Sequence, residues 1–579
     1  MNHSLLRAAL FAATAIALCA GPPKDSALAQ ERAPDVVQTA PPTVLVHPVT
    51  ANVTVTDQQL LNADKDQDNW LLHGRTYDNA DYSPLTQINP GNVSRLAPVA
   101  MIHTGMVNTY ENTPIEVNGV LFTVTASDHV QTYDAVTGQL LWTYTPKLDY
   151  SDVCCGPQAR GVAVAYGKVF MAQLDGRVVA LDAKTGQMVW RTNQADMLPE
   201  PTHYYSFTMA PQVYDGMVIV GNSGAEYPTR GFVEALDATT GKLVWRFRTT
   251  AAPDEPGGDS WNGNSYSAGG GSVWNTPAID PKNGLVVFAA ANPNPDYWGE
   301  NRKGDNLYTN SIIGVHVKTG KIAWWYQEVP HDLWDYDATA PAALFDAKDA
   351  SGKLVPAAAE AGKVGNVFIV NRLTGALLHK SDPFVMQSAN MFDIPGETPI
   401  TRYPGINGGS LWSTPSVSPL THYFYVMGVN QAYSVTAFKI EPYVFGAPTV
   451  GQQTGGSQKP EVTPFPPTGT LTAIDVNTGK IAWQDKTSLP LYGGIVTTAS
   501  NLLFTGEMDG NFDAFDAKTG KKLWHYFMGV GVCSPPITYR VKGIQYVAVG
   551  ASGCARGREY LGQTGLPQYA DNLVIFAVK

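Results

Sequence analysis

Charge is scarce in this chain. Only 15% of its 579 residues are Asp, Glu, Lys or Arg, against roughly 25% in an average globular protein, so few surface helices with charged faces are expected. Basic residues are the scarcer kind, and a net charge of −11 excludes the positive surface that nucleic acid or an anionic membrane would require. It suits a basic protein partner instead. Beyond the N-terminus no apolar run approaches the roughly 18 residues of a membrane-spanning helix. Cysteines number five, and Cys-x-x-Cys-His never occurs; this excludes a covalently attached c-type haem in these residues and leaves any electrons to a separate acceptor.

Glycine and proline are plentiful, at 55 and 41 residues, which gives many turns and an all-β composition. Arg7, the apolar run Ala8 to Ala20, and Ala27-Leu28-Ala29 before Gln30 form the three regions of a secretory signal, residues 1–29, cleaved after Ala29. Its removal leaves the mature chain one unit more negative, and Leu18 before Cys19 argues against a lipid anchor. An exported protein is expected to pair Cys154, Cys155, Cys533 and Cys554. Cys154 with Cys155 and Cys533 with Cys554 is the favoured pairing. Two cross-pairs from the 154/155 corner are the alternative. Residues 30–55 read as a loose, Pro- and Thr-rich leader, followed by a short helix through Gln58 to Leu61 capped by Thr56 or Asp57.

The body, residues 56–579, repeats one phrase. Tyr133-Asp134-Ala135-Val136-Thr137-Gly138 leads to Trp142, and Leu181-Asp182-Ala183-Lys184-Thr185-Gly186 leads to Trp190. Variants begin at Leu236, Val315, Val370, Ile474 and Phe515. Each is a strand end, an Asx-type turn closed by glycine, and a strand that in all but the 370 variant delivers a tryptophan. Reading the 104-residue gap between 370 and 474 as two units, one eroded near Val426 to Phe438, gives eight. Units of this size indicate an eight-bladed β-propeller in which the tryptophans dock one blade on the next. The longer gap from 245 to 315 would carry insertions lining one end of the axis.

Pro330-His331-Asp332-Leu333-Trp334-Asp335-Tyr336-Asp337 lies outside the repeat. As a strand it would put Asp335 and Asp337 on one side, about 7 Å apart. Such a pair is either a solvent-facing acidic turn or a buried pair that raises its own pKa or recruits a cation. Other stretches the repeat leaves unexplained are Cys154-Cys155-Gly156-Pro157-Gln158-Ala159-Arg160, Ser223-Gly224-Ala225-Glu226, Gly269-Gly270-Gly271-Ser272-Val273-Trp274 and Ala291-Asn292-Pro293.

In this order, from about Asn69 to the C-terminus, these stretches resemble the pyrroloquinoline-quinone (PQQ) dependent methanol and ethanol dehydrogenases. The resemblance implies a vicinal disulfide between Cys154 and Cys155 on one face of the quinone and Trp274 on the other. It implies quinone contacts from Glu111, Arg160, Thr208, Ser223, Gly224, Ala225 and Ser272, with Lys363 near the reactive carbonyl. Arg160 suits a carboxylate because a guanidinium offers two parallel hydrogen bonds. The metal would be held by Glu226, Asn292 and Asp335, with Asp335 also the catalytic base. All-oxygen ligation fits a hard cation. Asp337 resembles the extra acid of lanthanide-dependent members, so a lanthanide is favoured, with calcium the alternative. His331 and Asp332 are expected to be structural.

The expected activity is oxidation of a primary alcohol to the aldehyde in the periplasm, with a separate c-type cytochrome or a dye as acceptor. A homodimer is compatible with the sequence. Leu411 before Trp412 departs from the family's Asn, and Tyr492-Gly493-Gly494 replaces a Trp of methanol-type relatives, which leaves the alcohol open. The competing readings are a quinoprotein acting on a larger or polymeric alcohol and a non-catalytic propeller that binds proteins.

Overall fold

The structure is a computed structural model and describes residues 43–149, 153, 155–193, 205–439, 456–460, 466–554, 556 and 564–579. Residues 1–29, read from sequence as a secretory signal, lie outside the described residues. Eight antiparallel sheets, each with four consecutive rungs of the repeat, make the eight blades of a propeller. In chain order blades 1 to 7 occupy residues 115–144, 163–193, 212–248, 278–327, 343–380, 416–487 and 495–527. Blade 8 takes three strands from the C-terminal end, 537–578, and its fourth, Leu96–His103, from near the start. Pairing of Leu96–His103 with Asn572–Val578 closes the ring, which removes the free sheet edges.

The eighth unit is therefore not where the repeat count put it. Tyr423–Asn430 is the second strand of blade 6, and Tyr433–Ala437 joins Ile400–Arg402 and Gly456–Pro460 in a separate three-stranded sheet. The 104-residue gap is one blade carrying an insertion, not two blades.

Four of the six repeat tryptophans dock through one shared kind of hydrogen bond, while Trp324 covers Gly375 with its Nε1 unpartnered among the described residues and Trp524 meets Phe576 of blade 8. Trp142 Nε1 donates to the carbonyl of Ala183 at 3.1 Å, Trp190 to Ala238 at 3.2 Å, Trp245 to Val317 at 2.8 Å and Trp483 to Ala517 at 3.0 Å. Each ring covers the turn of the next blade, and Gly186, at φ +69°, shows why that turn ends in glycine: a Cβ there would lie 2.5 Å from the Trp142 ring. At the closure Ile102 of blade 8 takes the tryptophan's place against Gly138.

The segment before the first blade is bound in. Thr56 caps the helix Asp57–Leu61 in a reciprocal capping box with Gln59, as expected. The loose-leader expectation fails for residues 43–55: Thr43–Leu45 adds to the edge of blade 1, and Val53 and Val55 are buried. Residues 70–88 then run past the inner strands of the ring. They bond to Glu116 of blade 1, Val213 of blade 3, Ile279 of blade 4, Leu344 of blade 5, Val417 of blade 6, Thr497 of blade 7 and Gln545 of blade 8. Among the described residues no helix is long and apolar enough to cross a membrane.

Candidate active site

The site is built by loops between strands. Residues 249–277, between the last strand of blade 3 and the first of blade 4, supply Gly269–Gly271 and Trp274, and residues 290–310, between the second and third strands of blade 4, supply Asn292. The segment 330–337 connects blades 4 and 5, and Lys363 follows the second strand of blade 5. Gly270 sits where these loops cross. It has φ +71°, and a Cβ would fall within 3.0 Å of the Asn294 nitrogen and of the carbonyls of Asn292 and Ala225. The triple glycine thus lets the Glu226 and Asn292 loops meet beside Trp274.

The 330–337 segment is not a strand. Asp335 takes a left-handed backbone, φ +61°, and the loop is pinned by Asp332. Asp332 accepts from the backbone N–H of Trp334 and of Tyr336, both at 2.8 Å, and from Asn310 Nδ2 at 2.9 Å. This is the structural role expected of it. His331 turns away, its Nδ1 2.7 Å from the carbonyl of Gly304. Asp335 and Asp337 still converge, but through a third residue: Lys363 Nζ lies 2.6 Å from Asp335 Oδ1 and 3.4 Å from Asp337 Oδ1. The solvent-facing acidic turn is excluded, since Asp335, Asp337 and Lys363 are all buried.

Two further acids share this volume. Glu226 is pushed to higher pKa by burial and then by the nearby Asp337 charge, with Lys363 opposing. Asp296 is pushed well above the carboxylate range by burial and by Asp335, Glu226 and Asp337. For Asp335 burial raises the pKa strongly, Lys363 lowers it, and Asp337 and Glu226 raise it again. Burial disfavours the Lys363 ammonium, but Asp335 and Asp337 outweigh it and hold its pKa above the usual lysine value. Tyr297 completes the group, its hydroxyl donating to Asp335 Oδ2 at 3.4 Å.

Asp337 links the acids to the flat-ring wall. It accepts from Trp274 Nε1 at 3.3 Å and from the Asn292 backbone N–H at 3.2 Å. The Arg160 guanidinium lies 4.8 Å from the Trp274 ring centre and 5.7 Å from that of Trp412. It donates to Glu111 Oε2 at 2.9 Å and to Thr208 Oγ1 at 2.8 Å. Trp412 in turn stacks on Tyr492, with ring centres 5.2 Å apart and planes 13° from parallel, in an apolar cluster with Leu411. On the other side Cys155 is disulfide-bonded and its Sγ lies 4.0 Å from Glu226 Oε1. Its expected partner Cys154 lies outside the described residues. Cys533 pairs with Cys554, Cα atoms 5.5 Å apart, as the favoured pairing has it.

The remaining residues named from sequence fall on the same wall. Ser223 is buried, with its hydroxyl 2.7 Å from that of Ser206. Gly224, at φ +88°, turns the chain so that buried Ala225 and then Glu226 follow. Ser272 is fully buried and its hydroxyl has no hydrogen-bond partner among the described residues. Sequence reasoning missed Asp296 and Tyr297. A signal was present: in Asn292-Pro293-Asn294-Pro295-Asp296-Tyr297 an acid follows a candidate ligand by four positions.

The donor set suits a hard cation. Asn292 Oδ1 and Asp296 Oδ2 are buried without partners among the described residues, and four acids lie near Lys363. Burial and mutual repulsion push these acids towards their neutral forms, and a counter-cation with oxygen ligands would hold them ionised. Among the described residues no three His, Cys, Asp or Glu side chains already form a closed metal cage. The buried Ser272 hydroxyl and the unpartnered Arg160 Nε, beside an indole face, likewise suit a flat polar-edged cofactor.

A closed propeller with a flat-ring wall and an acidic cation pocket among its connecting loops defines a cofactor-dependent enzyme of the quinoprotein type. The family described as glucose/ethanol/alcohol dehydrogenase, beta-propeller domain, matches residues 70–383 and 384–547. Quinohemoprotein alcohol dehydrogenase ADH-IIG of Pseudomonas putida is 35% identical over 528 residues, covering 84% of this chain and 73% of the relative. Quinoprotein ethanol dehydrogenase of Pseudomonas aeruginosa is 32% identical, covering 86% of this chain and 87% of the relative. A europium-containing methanol dehydrogenase superposes with TM-score 0.80 at 30% identity, covering 90% of this chain and all of that one. The chain belongs to the PQQ-dependent alcohol dehydrogenases.

Proposed function

We propose that this chain is a periplasmic dehydrogenase that oxidises a primary alcohol to its aldehyde with PQQ and a lanthanide ion, and passes the electrons to a separate c-type cytochrome. The observation that carries the metal reading is the crowding of acids: buried Asp296, Asp335 and Asp337 with part-buried Glu226 around Lys363, next to an Asn292 side-chain oxygen with no partner among the described residues. Glu226, Asn292, Asp335 and Asp337 would hold the cation, and calcium is the alternative to a lanthanide. PQQ, when bound, supplies the two-electron acceptor for the alcohol's hydride, and the cation supplies Lewis-acid polarisation.

Asp335 takes the hydroxyl proton. Lys363 and Tyr297 hold its two oxygens, so the carboxylate is oriented before substrate arrives. Burial and the neighbouring acids raise its affinity for a proton while Lys363 keeps it from being lost as a base. Trp274 and the disulfide at Cys155 would hold the quinone, and Arg160, held by Glu111 and Thr208, would supply a paired donor for a quinone carboxylate. Ser223, Gly224, Ala225 and Ser272 would supply its further polar and backbone contacts. The stacked Trp412 and Tyr492 form the nearby apolar wall.

Dye-linked turnover with PQQ, comparing lanthanum with calcium over a panel of short and long primary alcohols, tests this reading. Faster turnover with lanthanum and a preference for short alcohols is expected. Equal or faster turnover with calcium overturns the lanthanide assignment, a preference for long or polymeric alcohols overturns the substrate class, and no turnover with any combination overturns the site.

A further inference from the structure

We propose that Asp296 is a fourth acidic member of the cation pocket, which fixes the orientation of the Asn292 amide and biases the pocket towards a trivalent ion. The proposal rests on the reading of Glu226, Asn292, Asp335 and Asp337 as ligands. A side-chain amide has a donor end and an acceptor end, and the group that holds one decides which is left for a metal. Asn292 Nδ2 donates to Asp296 Oδ1 at 2.9 Å and to the Pro293 carbonyl at 3.3 Å. Its oxygen is left without a partner among the described residues. Turning the amide over would set that oxygen against the Asp296 carboxylate, which only accepts when ionised.

Asp296 is itself built in. It is 1% exposed, and its second oxygen has no partner among the described residues. Arg302, fully buried, donates through Nε to the Pro295 carbonyl at 2.9 Å and through NH1 to Asn306 Oδ1 at 2.7 Å, while NH2 reaches the carbonyls of Asp296, at 3.3 Å, and Asp332. One guanidinium thus ties the Asn292–Asp296 loop to the loop that carries Asp335. Its contacts with Asp296 and Asp332 are with backbone oxygens, which leaves the Asp296 carboxylate for the pocket, where a bound cation would favour its ionised form. With all four ionised around a bound ion, Glu226, Asp296, Asp335 and Asp337 against Lys363 would carry a formal excess of three negative charges, tempered by the Arg556 charge that acts on Glu226, and such an excess favours a trivalent over a divalent ion. Coulomb attraction scales with ionic charge, so losing one carboxylate costs a trivalent ion half as much again as a divalent one.

The test uses full-length protein stripped of cations, loaded with PQQ and titrated with lanthanum or calcium, followed by quinone absorbance and thermal midpoint. Neither readout needs turnover. Asp296→Ala removes both the amide anchor and the charge, and is expected to weaken binding of both ions by about 10–100-fold. Asp296→Asn keeps a carbonyl to hold Asn292 but loses the charge, and is expected to lower the lanthanum-to-calcium affinity ratio. Wild-type affinities in both variants overturn the proposal, and an unchanged ratio in Asp296→Asn overturns its charge-matching claim. If Asp296→Ala does not fold, Asp296→Asn alone decides. Failure of the unaltered protein to bind either ion overturns the underlying ligand assignment instead.

Discussion

The rim of the ring and its acidic pocket come from the same blades and settle their polar groups in opposite ways. At the rim one solution recurs: an aspartate closes its own turn, a glycine leaves room, and a tryptophan from the neighbouring blade covers both while donating to a carbonyl. In the pocket nothing recurs. Asp335, Asp337, Glu226 and Asp296 come from three loops, crowd one lysine, and leave buried oxygens without partners. The rim spends its interactions on holding the ring closed, while the pocket stores unmet electrostatic demand that a cation can satisfy.

Substitutions can separate the two regions. The largest effect is expected from Asp335→Ala, which would remove the proposed base and ligand together: turnover should fall by at least about 10²–10⁴-fold. In cation-free protein the thermal midpoint should stay level or rise, because one of several crowded acids has gone. Next in size is Trp245→Ala at the rim. It removes a buried indole and its bond to Val317, costing about 3–5 kcal/mol in a denaturant titration, with KM of the folded fraction unchanged. A reversal of these two outcomes would erase the distinction between the regions.

The smallest effect concerns His73, which borders the wall beside Arg160. Burial first, and the Arg160 charge second, lower its pKa to about 4. The unfolded chain, with a pKa near 6.5, then binds more protons between about pH 6.5 and 4. Its contribution to stability is present above that range and is lost as pH falls through it. His73→Gln should remove this loss, seen as a smaller drop in unfolding free energy between pH 6.5 and 4. The same slope in both proteins would contradict it.

Much of the rim was legible because its constraint is local. Asp134 through Trp142 states turn, glycine and docking ring within one stretch of sequence. Blade 8 was not, because its strands come from opposite ends of the chain and Ile102, with no tryptophan phrase, does the docking. The Trp274 wall and the acids at 226, 335 and 337 were found by resemblance to a family, since their spacing alone says little. That Asp335 and Asp337 meet from a loop through Lys363, and not along a strand, depends on the left-handed backbone at Asp335, which a non-glycine residue does not announce. Asp296 escaped for the same reason: its meaning arises from acids 39 and 41 residues further along the chain and from Glu226 behind it.

The most direct measurement is anomalous diffraction from crystals of the protein loaded with PQQ and lanthanum. The account predicts one dominant peak within about 2.6 Å of oxygens from Glu226, Asn292, Asp335 and Asp337, the distance expected for a large hard cation. A peak elsewhere, or a pocket in which Lys363 still bridges Asp335 and Asp337 with no ion between the acids, would contradict it.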